Sequence, residues 1–170
     1  MQTRALKGDG RMNEGESRFT WQMAVADALP VLFFGIAAMV LGKKLSSVVL
    51  VAGAAVCVLA GAGKVAWKLL IALAEKDVPV LGAQLRFLMP VGFVLMVAGA
   101  ATSRRDLLSG LAASALSLPS LAFFVLAAVG ICGMVVCARR FDRYDVRGNW
   151  IEQCINAAAQ GCLLLGVLFL

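Results

Sequence analysis

Apolar residues fill five long segments of this chain, and polar residues are concentrated between them. Each segment is close to the roughly 20 residues that an α-helix needs to cross the apolar core of a bilayer. The segments cover residues 22–42, 45–66, 79–101, 118–138 and 150–170. We therefore predict an all-α fold: a polytopic membrane helix bundle with five transmembrane helices, forming one domain over residues 21–170.

The composition agrees with a membrane protein and narrows its chemistry. Hydrophobic residues make up 61% of the chain and the mean hydropathy is +0.88, whereas soluble domains are nearer half apolar. The chain has no histidine, which is the commonest general base and a frequent metal ligand. Its five cysteines form no CxxC pair. We expect no metal site and no cofactor, and the sequence favours a protein that is not an enzyme.

The net charge of +6 comes from basic residues that stand mostly at the ends of the predicted spans. Such residues attract anionic lipid headgroups, so the expected partner is the lipid bilayer and not nucleic acid. The N-terminal tail, the region from the end of the second span through the second connection, and the fourth connection together carry 11 Lys and Arg, against 4 in the first and third connections. The positive-inside rule then predicts a multi-pass cell-membrane protein with a cytoplasmic N-terminus and an external C-terminus.

Three segments do not fit a simple span. Residues 1–20 are polar and mixed in charge, and we predict a disordered cytoplasmic tail. Residues 66–78 continue the helical pattern of the second span with alternating apolar and charged positions, which suggests a short amphipathic elbow. Residues 106–117 are apolar but rich in Ser, Gly and Ala. They predict an interfacial or a re-entrant helix before Pro119.

Small residues recur every four positions in two of the spans. Such stripes let another helix approach closely, and we expect them to mediate helix packing within the bundle, in a homo-oligomer or against another membrane protein. The predicted packing residues are Gly53, Cys57 and Gly61 in the second span and Ala158, Cys162 and Gly166 in the fifth, where Cys154 begins the stripe.

Amides and charges inside the spans are the strongest hint of function. Side-chain amides recur at spacings of four, three and four in the fifth span, on one helical face with Glu152 at its edge; they are Asn149, Gln153, Asn156 and Gln160. Either they bond to neighbouring helices as structural links, or they line a path for a substrate or ion. The second possibility predicts a polar cavity in the cytoplasmic half, lined by Asp27, Gln84, Arg86, Glu152, Asn156 and Gln160.

Asp27 lies about two turns inside the first span, and its side chain is too short to reach the interface. We expect it to have a polar partner on another span, with Lys64, Arg86 and Gln160 as candidates. Lys64, Lys68 and Arg86 are long enough to extend towards the interface by themselves.

Three functions are consistent with these features of the sequence. The first is a membrane transport or substrate-binding component that acts as an oligomer. The second is a non-catalytic assembly, anchoring or regulatory subunit of a larger membrane complex. The third is a lipid-modifying enzyme, which would need paired carboxylates at the interface. Asp142 and Asp145 are the nearest such pair, but the arginines around them are typical of an ordinary charged loop.

Overall fold

The computed structural model describes residues 21–74, 78–140 and 146–170, and these residues form six helices. The helices are α1 (Trp21–Lys44), α2 (Val48–Ala74), α3 (Pro79–Ala101), α4 (Arg105–Ala115), α5 (Ser120–Arg140) and α6 (Val146–Leu168). Five of them, all but α4, are long and apolar enough to cross a membrane. The all-α fold of a multi-pass membrane protein is confirmed. The predicted disordered tail, and the carboxylates Asp142 and Asp145, lie outside the described residues.

The helix boundaries correct two sequence predictions. The predicted elbow is wrong as a separate element, because α2 continues unbroken to Ala74. Residues 66–74 contain neither Gly nor Pro, so nothing interrupts the backbone hydrogen bonds there. Helix α6 begins at Val146, four residues before its predicted start at Trp150, and its first turn therefore carries Asn149.

The five long helices pack in the order α3, α2, α1, α6, α5, with α1 at the centre. Helices joined by a short turn run antiparallel, so α2 opposes both α1 and α3, and α6 opposes α5. Because the five long helices cross the membrane in succession and α4 does not, α1, α3 and α6 run in one direction and α2 and α5 in the other. We call the end where α1 and α6 begin the Trp21 end, and the opposite end, at the α1–α2 turn, the Ser47 end. Helix α4 is at the Ser47 end, contacts α5 and has no fully buried residue.

Small residues let α2 approach both of its neighbours. A Cβ added to Gly53 would lie 2.7 Å from the backbone oxygen of Gly92 on α3, so the two backbones touch there. Cys57 is buried beside the same glycine, whereas Gly61 faces Val31 of α1. The cause is helical geometry: a four-residue step rotates by about 40°, so the stripe turns from one neighbour to the other along the helix.

The same rotation separates the members of the small-residue stripe on α6. Its first two residues, Cys154 and Ala158, are exposed, and Cys162 is half-buried. Gly166 packs on α5, where an added Cβ would lie 2.8 Å from the ring of Phe124. Ala159 also approaches α5 closely and lies against Gly130.

Hydroxyl groups order the Ser47 end. Ser47 precedes α2 and accepts a hydrogen bond from the Leu50 amide at 3.3 Å, which is the geometry of a helix N-cap. The same hydroxyl donates to the carbonyl of Gly99 on α3 at 2.8 Å. Ser47 therefore joins the start of α2 to the end of α3.

Candidate functional site

Asp27 of α1 forms a buried ion pair with Lys68 of α2. Both side chains are only 4% exposed. The expectation that Asp27 has a polar partner on another span holds, but none of the three candidates is that partner. Lys68 is long enough to extend towards the interface, but its ammonium group is instead used inside the helix pair.

The register of α1 and α2 explains why the partner is Lys68. Gly35 faces Val58 and Gly42 faces Val51, so Asp27 lies opposite about residue 66 of α2. Side chains on a helix lean towards its N-terminus. Lys68 therefore leans back to the level of Asp27, whereas Lys64 leans away from it.

Glu152 of α6 joins this pair at the same depth. Asp27, Lys68 and Glu152 each lie six residues from the helix terminus at the Trp21 end, a rise of about 9 Å. Glu152 and Lys64 both act electrostatically on Lys68. The residues Asp27, Lys64, Lys68 and Glu152 therefore form one group from three helices, which we call the charged layer.

The charged layer is only half paired. Among the described residues, neither Lys64 nor Glu152 has an opposite charge within ion-pairing distance, and both side chains are half-buried. An unpaired charge costs several kcal/mol in hydrocarbon, so such groups normally pair or meet water. Within the described part of the chain, the layer thus combines an ion pair with a cation and an anion that have no counter-ion.

Two side-chain amide oxygens on α6 also accept no hydrogen bond within the described part of the chain. The Oε1 atoms of Gln153 and Gln160 are buried and accept no hydrogen bond, and the Gln153 side chain is almost wholly enclosed, at 3% exposure. Half-buried Asn156 lies on the same helical face. The opposite face, with Ala158 and Leu165, is exposed, so the amides face the interior of the bundle.

The remaining residues of the predicted cavity lie elsewhere. Gln84 is on α3, and its Nε2 occupies the space beside Gly63 of α2. Arg86, also on α3, is exposed. Since α2 and α1 separate α3 from α6 in the packing order, these two residues are apart from Glu152, Asn156 and Gln160. The six-residue cavity remains a prediction, and the structure adds Lys64, Lys68 and Gln153 to its neighbourhood.

Two surface cavities lie at the Ser47 end, away from the charged layer. Their volumes are about 280 and 310 Å³, and Ser46, Ser47 and Val48 line both. Within the described residues, no cluster of three or more Cys, Asp or Glu side chains is arranged to hold a metal ion. The charged layer and the amides of α6 are therefore the candidate site.

No protein-family model matches the chain, and no match is found among curated proteins or solved structures.

Proposed function

We propose that the protein is a membrane transport or substrate-binding component, and that its site is the charged layer together with the inner face of α6. The observation that carries the proposal is the buried, unpartnered Oε1 of Gln153. A buried acceptor without a donor costs about 1–3 kcal/mol. If Gln153 served only to link helices, its Oε1 would accept a hydrogen bond from a neighbouring helix.

The charge bias gives this site a direction. With the N-terminus in the cytoplasm, the Trp21 end is cytoplasmic, and a substrate would reach the charged layer from that side of the cell membrane. Single cysteines at positions 44, 104 and 145 of a cysteine-free variant test this orientation. An impermeant thiol reagent added to intact cells should label positions 44 and 104 only. Labelling of position 145 alone would reverse the orientation.

Water access to the inner face of α6 tests the function itself. In the cysteine-free background, Gln160→Cys and Ala158→Cys place a thiol on the inner and on the exposed face of the same helix, half a turn apart. Thiol reagents react with the ionised thiol, which needs water. We expect position 160 to react at least about tenfold faster than position 158, because the exposed face lies against lipid. Equal, slow reaction at both positions would contradict a transport path.

One observation favours the second candidate function, a non-catalytic subunit of a larger membrane complex. Gly92 and Gly99, both packed on α2, are the only fully buried residues of α3. The other face of α3 is therefore available to lipid, to a second copy or to another membrane protein. If the protein is such a subunit, water should not reach position 160. A crosslinker attached at Val94, which is exposed on α3, should then join the protein to a partner that co-purifies with it.

A further inference from the structure

We propose that the two cavities at the Ser47 end hold the headgroup of an anionic phospholipid, a lipid whose phosphodiester gives it one net negative charge. This inference goes beyond the proposed function, because the cavities lie at the opposite end of the bundle from the charged layer. Three features support it: the basic residues that line the cavities, the fixed turn between them, and an apolar stripe that continues from them along α2.

Each of the two cavities has one basic side chain in its lining. Arg104 lines the first cavity and Lys43 lines the second. Residues 46–48 line both, so the two cavities share one wall. Among the described residues, no acidic side chain lines either cavity. A phosphate group bound at the shared wall can therefore meet a basic side chain from either cavity, and phosphate is the group that arginine and lysine bind most often.

Basic side chains also outnumber acidic ones around the cavities. Lys44 and Arg105 are next in sequence to the two lining residues, and within the described ranges Asp106 is the only acidic residue at the Ser47 end. Asp106 pairs with Arg104 at 2.9 Å, but the two side chains are 63% and 78% exposed. Such exposed pairs contribute little. A phosphate can therefore compete with Asp106 for the guanidinium group, which has five N–H donors.

The shared wall is held in place and offers further donors. The hydroxyls of Ser47 and Ser103 both donate to the carbonyl of Gly99, at 2.8 and 2.7 Å. These bonds fix the start of α2 against the end of α3, and both serines line the first cavity. Val48 and Val49 line it too. Their amides are the first two of α2 and have no acceptor within the helix, so they add neutral donors to the basic side chains.

An apolar stripe on α2 favours a lipid over a free phosphate ion. Val48, Ala52, Ala55 and Leu59 are all exposed and recur at spacings of four, three and four, so they lie on one face of the helix. From Val48 to Leu59 the helix rises about 16 Å. That is about half the thickness of the apolar core of a bilayer, or one leaflet. A phospholipid bound at the cavities can cover this stripe with an acyl chain, whereas a soluble phosphate cannot.

Thermal unfolding of the full-length protein in a non-ionic detergent tests the ligand. Phosphatidylglycerol and phosphatidylcholine with the same acyl chains present an anionic and a zwitterionic phosphodiester, and glycerol phosphate presents a soluble one. A ligand that binds only the folded state raises Tm with its concentration. We expect phosphatidylglycerol to raise Tm at concentrations about tenfold or more below those that phosphatidylcholine needs. Glycerol phosphate should leave Tm unchanged at the same concentrations.

Paired substitutions locate the site. Lys43→Gln combined with Arg104→Gln removes both lining charges, and Arg139→Gln combined with Arg140→Gln removes the same charge from the end of α5, at the Trp21 end. All four residues are exposed, and each shift is measured from the Tm of the lipid-free variant. The first pair should weaken the binding of phosphatidylglycerol about tenfold or more, and the second by less than about twofold. Asp106→Asn, which releases Arg104, should strengthen it.

Four outcomes would overturn the inference. Equal Tm shifts from phosphatidylglycerol and phosphatidylcholine would show that the headgroup charge is not recognised. An equal shift from glycerol phosphate would make the ligand a soluble phosphate and not a lipid. A preference for phosphatidylglycerol that survives Lys43→Gln with Arg104→Gln would place the lipid outside the cavities. Loss of that preference in the variant of Arg139 and Arg140 alone would place it at the Trp21 end. Water access at position 160 tests the proposed function separately.

Discussion

Helices α2 and α6 both pack along α1, but they differ in how they satisfy their polar groups. On α2, Lys68 is paired with Asp27, and small residues bring the backbone into contact with α3. On α6, the Oε1 atoms of Gln153 and Gln160 are buried and accept no hydrogen bond from the described residues. The comparison shows that a polar residue in a membrane helix is not by itself a sign of function. The informative property is whether the fold already provides its partner.

The largest effect is expected when the ion pair between Asp27 and Lys68 is broken. Lys68→Met keeps the length of the side chain but leaves the Asp27 carboxylate buried without a counter-charge. Removal of one partner of a buried ion pair typically costs about 3–5 kcal/mol. We expect that loss in the free energy of unfolding, measured by helical circular dichroism in detergent.

The double variant Asp27→Asn with Lys68→Met is the control for this prediction. It removes the stranded charge and should recover much of the lost stability, because neutral groups are cheaper to bury than an unpaired ion. If Lys68→Met alone unfolds like the parent, Asp27 must have water or another partner, and the ion pair is not structural.

A smaller effect separates the two faces of α6. Gly166→Leu should cost about 1–3 kcal/mol, since its side chain would meet the ring of Phe124. Ala158→Leu, on the exposed face, should change stability by no more than about 0.5 kcal/mol. Thermal unfolding of both variants in detergent measures the difference. A loss at position 158 equal to that at 166 would show that a second protein surface covers the exposed face.

Periodicity and length were sufficient to predict the spans. The predicted third span, 79–101, matches α3 at both ends, because Pro79 favours the start of a helix and a polar segment follows residue 101. The elbow after residue 66 was predicted wrongly because amphipathic periodicity does not distinguish a new element from the continuation of the same helix. The small-residue stripes were visible in the sequence, but which neighbour each residue meets depends on helix rotation and packing order.

A smaller loss of stability is expected when the Ser47 hydroxyl, which joins the start of α2 to the end of α3, is removed. Ser47→Ala removes the N-cap acceptor and the hydrogen bond to Gly99, and we expect a loss of about 1 kcal/mol in unfolding free energy. Ser46→Ala, at the exposed neighbouring position, is the matched control. Equal stability of the two variants would mean that water replaces the Ser47 hydroxyl at no cost.

The candidate site was only partly predictable. The sequence indicated that Asp27 needs a partner, because a short carboxylate inside a span cannot reach the interface. It could not indicate Lys68, since that choice depends on the α1–α2 register and on the direction in which helical side chains lean. Gln84 and Arg86 were grouped with α6 because their depth resembled that of Glu152. Depth is readable from the sequence, whereas lateral position in a row of five helices is not.

The stability of a variant that lacks the amides of Gln153 and Gln160 tests most directly whether these two groups serve the fold or a ligand. Hydrogen bonds between membrane helices contribute about 0.6–2 kcal/mol each. If Gln153 and Gln160 linked helices, Gln153→Leu combined with Gln160→Leu would lower the free energy of unfolding by about 1–4 kcal/mol. We predict instead that the double variant is as stable as the parent or more stable, because two unsatisfied acceptors are removed. A loss comparable to that of Lys68→Met would contradict a ligand site on α6.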